Sequence, residues 1–292
     1  MIRRAKRQDE TDIVRRAGLD FGLDGDIPKY WHSGDAFKTR YFDALSLLFP
    51  EGEKFFIDCV RAYKADVTDP ELQAKVKDFT FQEAQHSMVH RRYNDRLAEQ
   101  GVAVADIEAE QKRMLAEARR ILPAKFTLAE TAAAEHITAI MAEFTLSNPD
   151  LLRDADPRIR AIYFWHAIEE TEHKAVAFDV YKTVAKGGYF TRIAAMLVES
   201  VLFPFFTFKL MAYMFHIDGV EQKWKVWAKG LWWLYGPRGV LTRMAPAYLR
   251  YFRPGFHPWQ YATSPAFKRW LSEYEQTASD PISASDRFMA AA

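Results

Sequence analysis

Hydrophobic and polar positions along the chain fall into three stretches of different texture. Residues 1–40 are charged and irregular, with Gly22, Gly25 and Pro28 interrupting any helical run. From Ala36 apolar residues return, and Pro50 stands where a helix can open, because proline is tolerated in a first turn. The pattern then predicts a helix over 51–65, with Phe56, Val60 and Tyr63 among its apolar positions. Asp69-Pro70 is a second start signal, an N-cap followed by proline at the first helical position. The run from there to residue 100 holds no further proline or glycine until Gly101 supplies a stop. A charged helix over 106–121 ends near Pro123. Thr127-Leu128-Ala129-Glu130 fits a capping box opening a helix over 127–147. After Asn148-Pro149-Asp150, Asp156-Pro157 repeats the cap-plus-proline start, and that helix runs to Gly187-Gly188. No alternation of strand type appears up to this point. The pattern predicts an all-α protein: an irregular lead-in over 1–40, a four-helix bundle over 41–188, and an aromatic-rich helical extension over 189–292 packed on it.

The last stretch has a character of its own. Residues 193–215 are mostly apolar and long enough to span a bilayer, but Glu199, Pro204 and Lys209 interrupt them. Trp224, Lys225, Trp227, Lys229, Trp232, Trp233 and Tyr235 follow, a mixture suited to a membrane interface. Two readings stand: extra helices walling an apolar substrate pocket, which is preferred, and peripheral contact with a membrane.

Composition narrows the classes. Lys plus Arg is 40 and Asp plus Glu is 39, so the net charge of +1 gives no reason to expect nucleic acid as a partner. Cys59 is the only cysteine, which excludes an internal disulfide and any cysteine-based zinc site, and fits a reducing compartment. The first ten residues are basic without an apolar run behind them, unlike a secretory signal. The expected location is cytoplasmic, with the inner membrane face as the place of any peripheral contact. A homodimer is compatible with the chain.

The candidate chemistry lies in two short spellings, Glu83-Ala84-Gln85-His86 and Glu170-Thr171-Glu172-His173. On a helix, three residues apart is about 60° of rotation, so carboxylate and imidazole share one face. With single glutamates from two other helices, this is the pattern of ferritin-like bundles holding two iron or manganese ions. Glu53 and Glu135 are the choices, with Glu51 and Glu143 as rivals. A glutamate embedded among Leu128, Ala132, Ala139 and Ala142, as Glu135 is, is costly to bury unless paired or metal-bound. Two divalent ions would offset four carboxylates. His166 shares a stripe with Glu170 and His173, either as an extra ligand or as a core histidine. His90 is assigned to the surroundings of the site or its pocket; Glu169, with Asp58 and Glu172, is either near the ligands or on the surface. His136 points away from Glu135's face and is not expected to be a ligand.

At these residues the chain resembles a bacterial family described as predicted metal-dependent hydrolases. The likeness covers roughly residues 28–260. It rests on Pro50-x-Gly52-Glu53-x-Phe55-Phe56, Glu83-x-x-His86, Glu135-His136, Trp165-His166-x-x-Glu169-Glu170-x-Glu172-His173-Lys174 and Phe256-His257-Pro258-Trp259. The ligand order is also similar to that of di-iron arylamine N-oxygenases, whose last ligand helix carries His-x-x-x-Glu-x-x-His, matched by His166, Glu170 and His173. The aromatic C-terminal third has no match there. The expectation is a non-haem di-iron oxygenase or oxidase. It would use two iron ions (manganese as an alternative), O2 and an electron donor to oxidise a small, largely apolar substrate, an amine or another electron-rich molecule. The alternatives are a two-metal hydrolase and a non-enzymatic iron-binding protein.

Overall fold

A computed structural model describes residues 10–220, 222–260 and 263–291. The basic opening run over 1–9 lies outside the described residues. All regular elements among those described are helical: α1 Ala36–Arg61, α2 Pro70–Glu99, α3 Val104–Ile121, α4 Ala124–Ser147, α5 Pro157–His173, α6 Val176–Asp179, α7 Tyr189–Ile217, α8 Lys223–Tyr235, α9 Val240–Arg250, α10 Pro265–Gln276 and α11 Pro281–Ala290. Helices α1, α2, α4 and α5 pack on one another, and α7 lies across α1 and α4.

Where helices begin follows local chemistry. Asp35, Asp69 and Asp156 each cap a backbone N–H of the first turn, worth about 1 kcal/mol apiece. Pro70 and Pro157 sit at the first helical position as expected. Three boundaries differ from the expectation. Pro50 does not open a helix but lies inside α1, which starts fourteen residues earlier at Ala36. Proline cannot donate to the carbonyl one turn back. Here that carbonyl, Ser46 O, accepts from Asn94 Nδ2 of α2 at 3.0 Å, and Leu47 O accepts from Gln111 Nε2 of α3 at 3.2 Å. The expected capping box is also absent: α4 begins at Ala124, and the Thr127 hydroxyl turns back to Ala124 O. The third concerns α5, which stops at His173 and resumes as α6 and a π-helical turn over Val180–Val184, instead of running on to Gly187.

Residues 10–35 are irregular, as expected, but they are not peripheral. Arg16 is buried, and its guanidinium reaches Glu169 at 3.1 Å and Glu172 at 2.7 Å. A second buried ion cluster ties α1 to α7: Arg40 binds Asp43 at 2.8 Å and Asp218 at 2.7 Å. Among the described residues one helix, α7, is long and apolar enough to cross a membrane.

Candidate metal centre

Each helix of the core contributes inward-facing donors: Glu53 from α1, Glu83 and His86 from α2, Glu135 from α4, and His166, Glu170 and His173 from α5. All seven are buried. They form three overlapping groups whose donor atoms lie within 4.8 Å of one another: Glu53 with His86 and His166; Glu83 with Glu135 and His173; Glu83 with His86 and Glu170. The first two groups define two ends of the site and the third lies between them. His166 thus joins Glu53 and His86, on the side away from its helix-mate His173. Glu170 Oε1 is the hub, 3.0 Å from His166 Nε2, 3.5 Å from His173 Nε2 and 3.6 Å from His86 Nδ1.

The other atoms of these side chains are held from behind. His173 Nδ1 bonds Gln82 Oε1 at 2.9 Å, leaving Nε2 to face Glu83 Oε1 at 3.0 Å and Glu135 Oε2 at 3.6 Å. Gln82 Nε2 in turn donates to Glu172 at 2.7 Å, which Arg16 also holds. His86 turns Nε2 toward Glu169 Oε2, 3.2 Å away, and Trp165 Nε1 donates to the other oxygen of Glu169 at 2.9 Å. Glu53 Oε2 accepts from Ser87 Oγ at 2.9 Å. The Thr138 hydroxyl donates to Glu170 Oε2.

A chain of four polar groups assigns the tautomer of His166. Asn94 Nδ2 donates to Ser46 O, so its Oδ1 takes the Ser46 hydroxyl proton at 2.7 Å. Ser46 Oγ must then accept from His90 Nδ1–H at 2.9 Å, which leaves His90 Nε2 bare to accept from His166 Nδ1–H at 2.8 Å. His166 Nε2 is left with a lone pair aimed into the site. His90 therefore touches the ligand set without joining it.

Electrostatics and polar satisfaction both fit divalent cations. Buried polar atoms are almost always partnered. Here Glu53 Oε1, both oxygens of Glu83 and Glu135, both nitrogens of His86 and His173 Nε2 have no hydrogen-bond partner. Apart from His86 Nε2, which faces Glu169, they belong to the groups that converge. Burial, then the charge of Glu83, pushes Glu53 and Glu135 well above the ordinary carboxylate range. Burial also opposes ionisation of Glu170 and His173, but their mutual attraction wins: Glu170 lies well below its ordinary range and His173 well above. Two divalent ions balance four carboxylates.

The rival residues are placed elsewhere. Glu51 pairs with Arg91, Asp58 with Lys54 and Arg119, and Glu143 meets Ser147 and Ser264 at the surface. His136 stacks on Tyr251, outside the site. The Phe256–Trp259 stretch closes one end of the core: Phe256 meets the His136 ring, His257 Nε2 bonds Asp179 at 2.9 Å, and Lys174 lies over Trp259. Sequence reasoning missed Arg16, Gln82, Ser46, Asn94 and Thr138. Of these only Gln82, next to Glu83, sat close enough in sequence to be suspected.

This all-helical core carries buried Glu/His groups that could hold a dinuclear metal site. Residues 14–262 match the model of the family described as predicted metal-dependent hydrolase, and the chain belongs to that family. No curated protein and no solved structure matches it. The family finding corrects the expected oxygenase or oxidase: membership points to hydrolysis, the alternative, and nothing found speaks for oxygen chemistry. The balance of Glu and His that suggested redox iron describes the donors alone. Carboxylate and imidazole hold Lewis-acidic and redox metals alike, so composition could not separate the two chemistries.

Proposed function

We propose that the protein is a two-metal hydrolase acting on a small, largely apolar ester or amide. The observation that carries this is the convergence of unpartnered buried donors in a chain of a metal-dependent hydrolase family. Glu53, Glu83, His86, Glu135, His166, Glu170 and His173 would hold two divalent ions. Iron(II) and manganese(II) suit this oxygen-rich set, as does zinc(II). Bound there, the ions would supply Lewis acidity and a more acidic water. Gln82, Glu169 and His90 orient the three imidazoles from behind, which keeps their free nitrogens aimed inward.

A cavity of about 240 Å³ reaches the site from the side of α3 and α7. Glu53 and Thr138 stand at its inner end, and Phe49, Phe56, Leu115 and Phe206 wall it. Such walls exclude water and accept an acyl or aryl group, leaving the scissile carbonyl near Glu53. Two carboxyls sit in the outer wall, Glu130 and Glu199. Burial raises them to about 7 and about 8, the latter helped by its neighbour's charge, so near neutral pH they carry less charge than exposed carboxylates.

The test is anaerobic loading with manganese, iron(II) or zinc, followed by a panel of aryl and alkyl esters and anilides of graded chain length. Metal-dependent turnover that rises with chain length and is lost in Glu170→Ala is expected. A fully loaded protein that hydrolyses no member of the panel would overturn the proposal.

A further inference from the structure

Helix α7 has two apolar faces, and only one is covered. Ala195, Met196, Leu210, Met211 and Met214 are buried against the protein. Phe190, Leu197, Val201 and Phe205 follow one another by seven, four and four positions, so they form a stripe along one side of the helix. This stripe is exposed, with Val201 at 65% and Phe205 at 58% of full accessibility. A helix apolar all round is ordinarily buried all round.

Helix α8 repeats the arrangement. Trp224, Leu231, Trp232 and Tyr235 are exposed, the two tryptophans at 70% and 69%. Lys223, Lys225 and Lys229 stand among them. The two helices touch through Trp227, which packs on Phe208 and Phe215.

Charge says what covers this surface. Residues 189–253 hold nine Lys and Arg against three acidic residues, in a chain whose net charge is only +1. Of these charges, Asp218 is held by Arg40 and Lys29, Lys209 and Lys229 pair with Glu110 and Asp35, and Arg192 is buried, while Lys223 and Lys225 stand exposed. Positive charge is therefore concentrated on the segment that exposes its apolar side chains. A second copy of the chain would bring like charge against like; an anionic bilayer would not.

We propose that the exposed faces of α7 and α8 dock the protein on a bilayer containing anionic lipids. The aliphatic and aromatic stripe enters the acyl boundary, the tryptophans settle at headgroup depth, and the lysines meet lipid phosphates. The helix lies along the surface without spanning it, because its other face is packed on the protein. Exposed Leu202, next to Val201 on α7, and exposed Met114 of α3 both line the metal-site cavity. An apolar molecule leaving the bilayer would enter the cavity without crossing bulk water. Docking itself does not depend on the hydrolase reading, and its test needs no turnover.

The test is flotation with vesicles of phosphatidylcholine, with and without phosphatidylglycerol, run on metal-free and metal-loaded protein alongside light scattering. The protein should float with the phosphatidylglycerol vesicles and bind pure phosphatidylcholine about tenfold less well. Val201→Ser/Phe205→Ser and, separately, Lys223→Glu/Lys225→Glu should each cut vesicle binding about tenfold or more without changing the melting temperature. Wild-type protein that stays at the bottom of the gradient overturns the proposal. So does a stable dimer that Val201→Ser/Phe205→Ser converts to monomer.

Discussion

At the scale of single residues, four of the candidate ligands, Glu53, His166, Glu170 and His173, have their second atom already committed. Glu170 Oε1 lies within 3.6 Å of three imidazole nitrogens, so Glu170→Ala should remove one metal equivalent or more, read by elemental analysis of the loaded protein. Asn94→Leu is the subtler test. It removes the amide that sets the proton order through Ser46 and His90, and should weaken metal binding about tenfold or more while leaving the seven donors in place. Unchanged affinity in that variant would mean that the His166 tautomer is set some other way. The candidate donors of α2 and α5 were legible because the Glu-x-x-His spacing reports a shared helix face directly. Arg16 was not: it comes from irregular chain about 150 positions before the carboxylates it meets, and no periodicity links them. Glu199 offers a pH test. Its carboxyl, raised by burial to about 8, binds a proton in the folded chain that the unfolded chain releases near pH 4.5. Stability from this group is therefore present below about pH 4.5 and is lost as pH rises toward 8. Glu199→Gln should flatten that decline, gaining on the order of 2 kcal/mol at pH 9 and little at pH 5, by denaturant titration.

At the scale of elements, helix starts were readable wherever an aspartate preceded a proline, since the cap and the fixed φ act locally. The same signal opens α10 at Ser264-Pro265 and α11 at Asp280-Pro281, where it went unread beneath the aromatic texture of that segment. Pro50 misled because its missing hydrogen bond is compensated from α2, a tertiary contact that local pattern does not contain. Helix α8 depends on close approach to the core: a Cβ at Gly230 would lie 2.0 Å from the Phe37 ring of α1. Gly230→Ala should cost about 1–3 kcal/mol, seen as a lower melting temperature, unless α8 shifts freely. An unchanged melt would show that α8 is only loosely seated on the core.

At the scale of the whole molecule, a neutral-looking chain separates into a metal-binding core and a cationic, aromatic flank. The all-α class and the donors of the core could be read from spacing alone. The chemistry could not, because hydrolytic and redox two-metal sites draw on the same carboxylates and imidazoles; family membership points to hydrolysis. Cations bound in the folded chain alone stabilise it by mass action, so chelation should lower the melting temperature by an amount that grows with metal affinity. The most direct measurement is anomalous diffraction from metal-loaded crystals at the absorption edge of the metal used. Two peaks are predicted between α1, α2, α4 and α5, one beside Glu53, His86 and His166 and the other beside Glu83, Glu135 and His173. No peak there, with the seven side chains closed on one another by hydrogen bonds alone, would contradict the account.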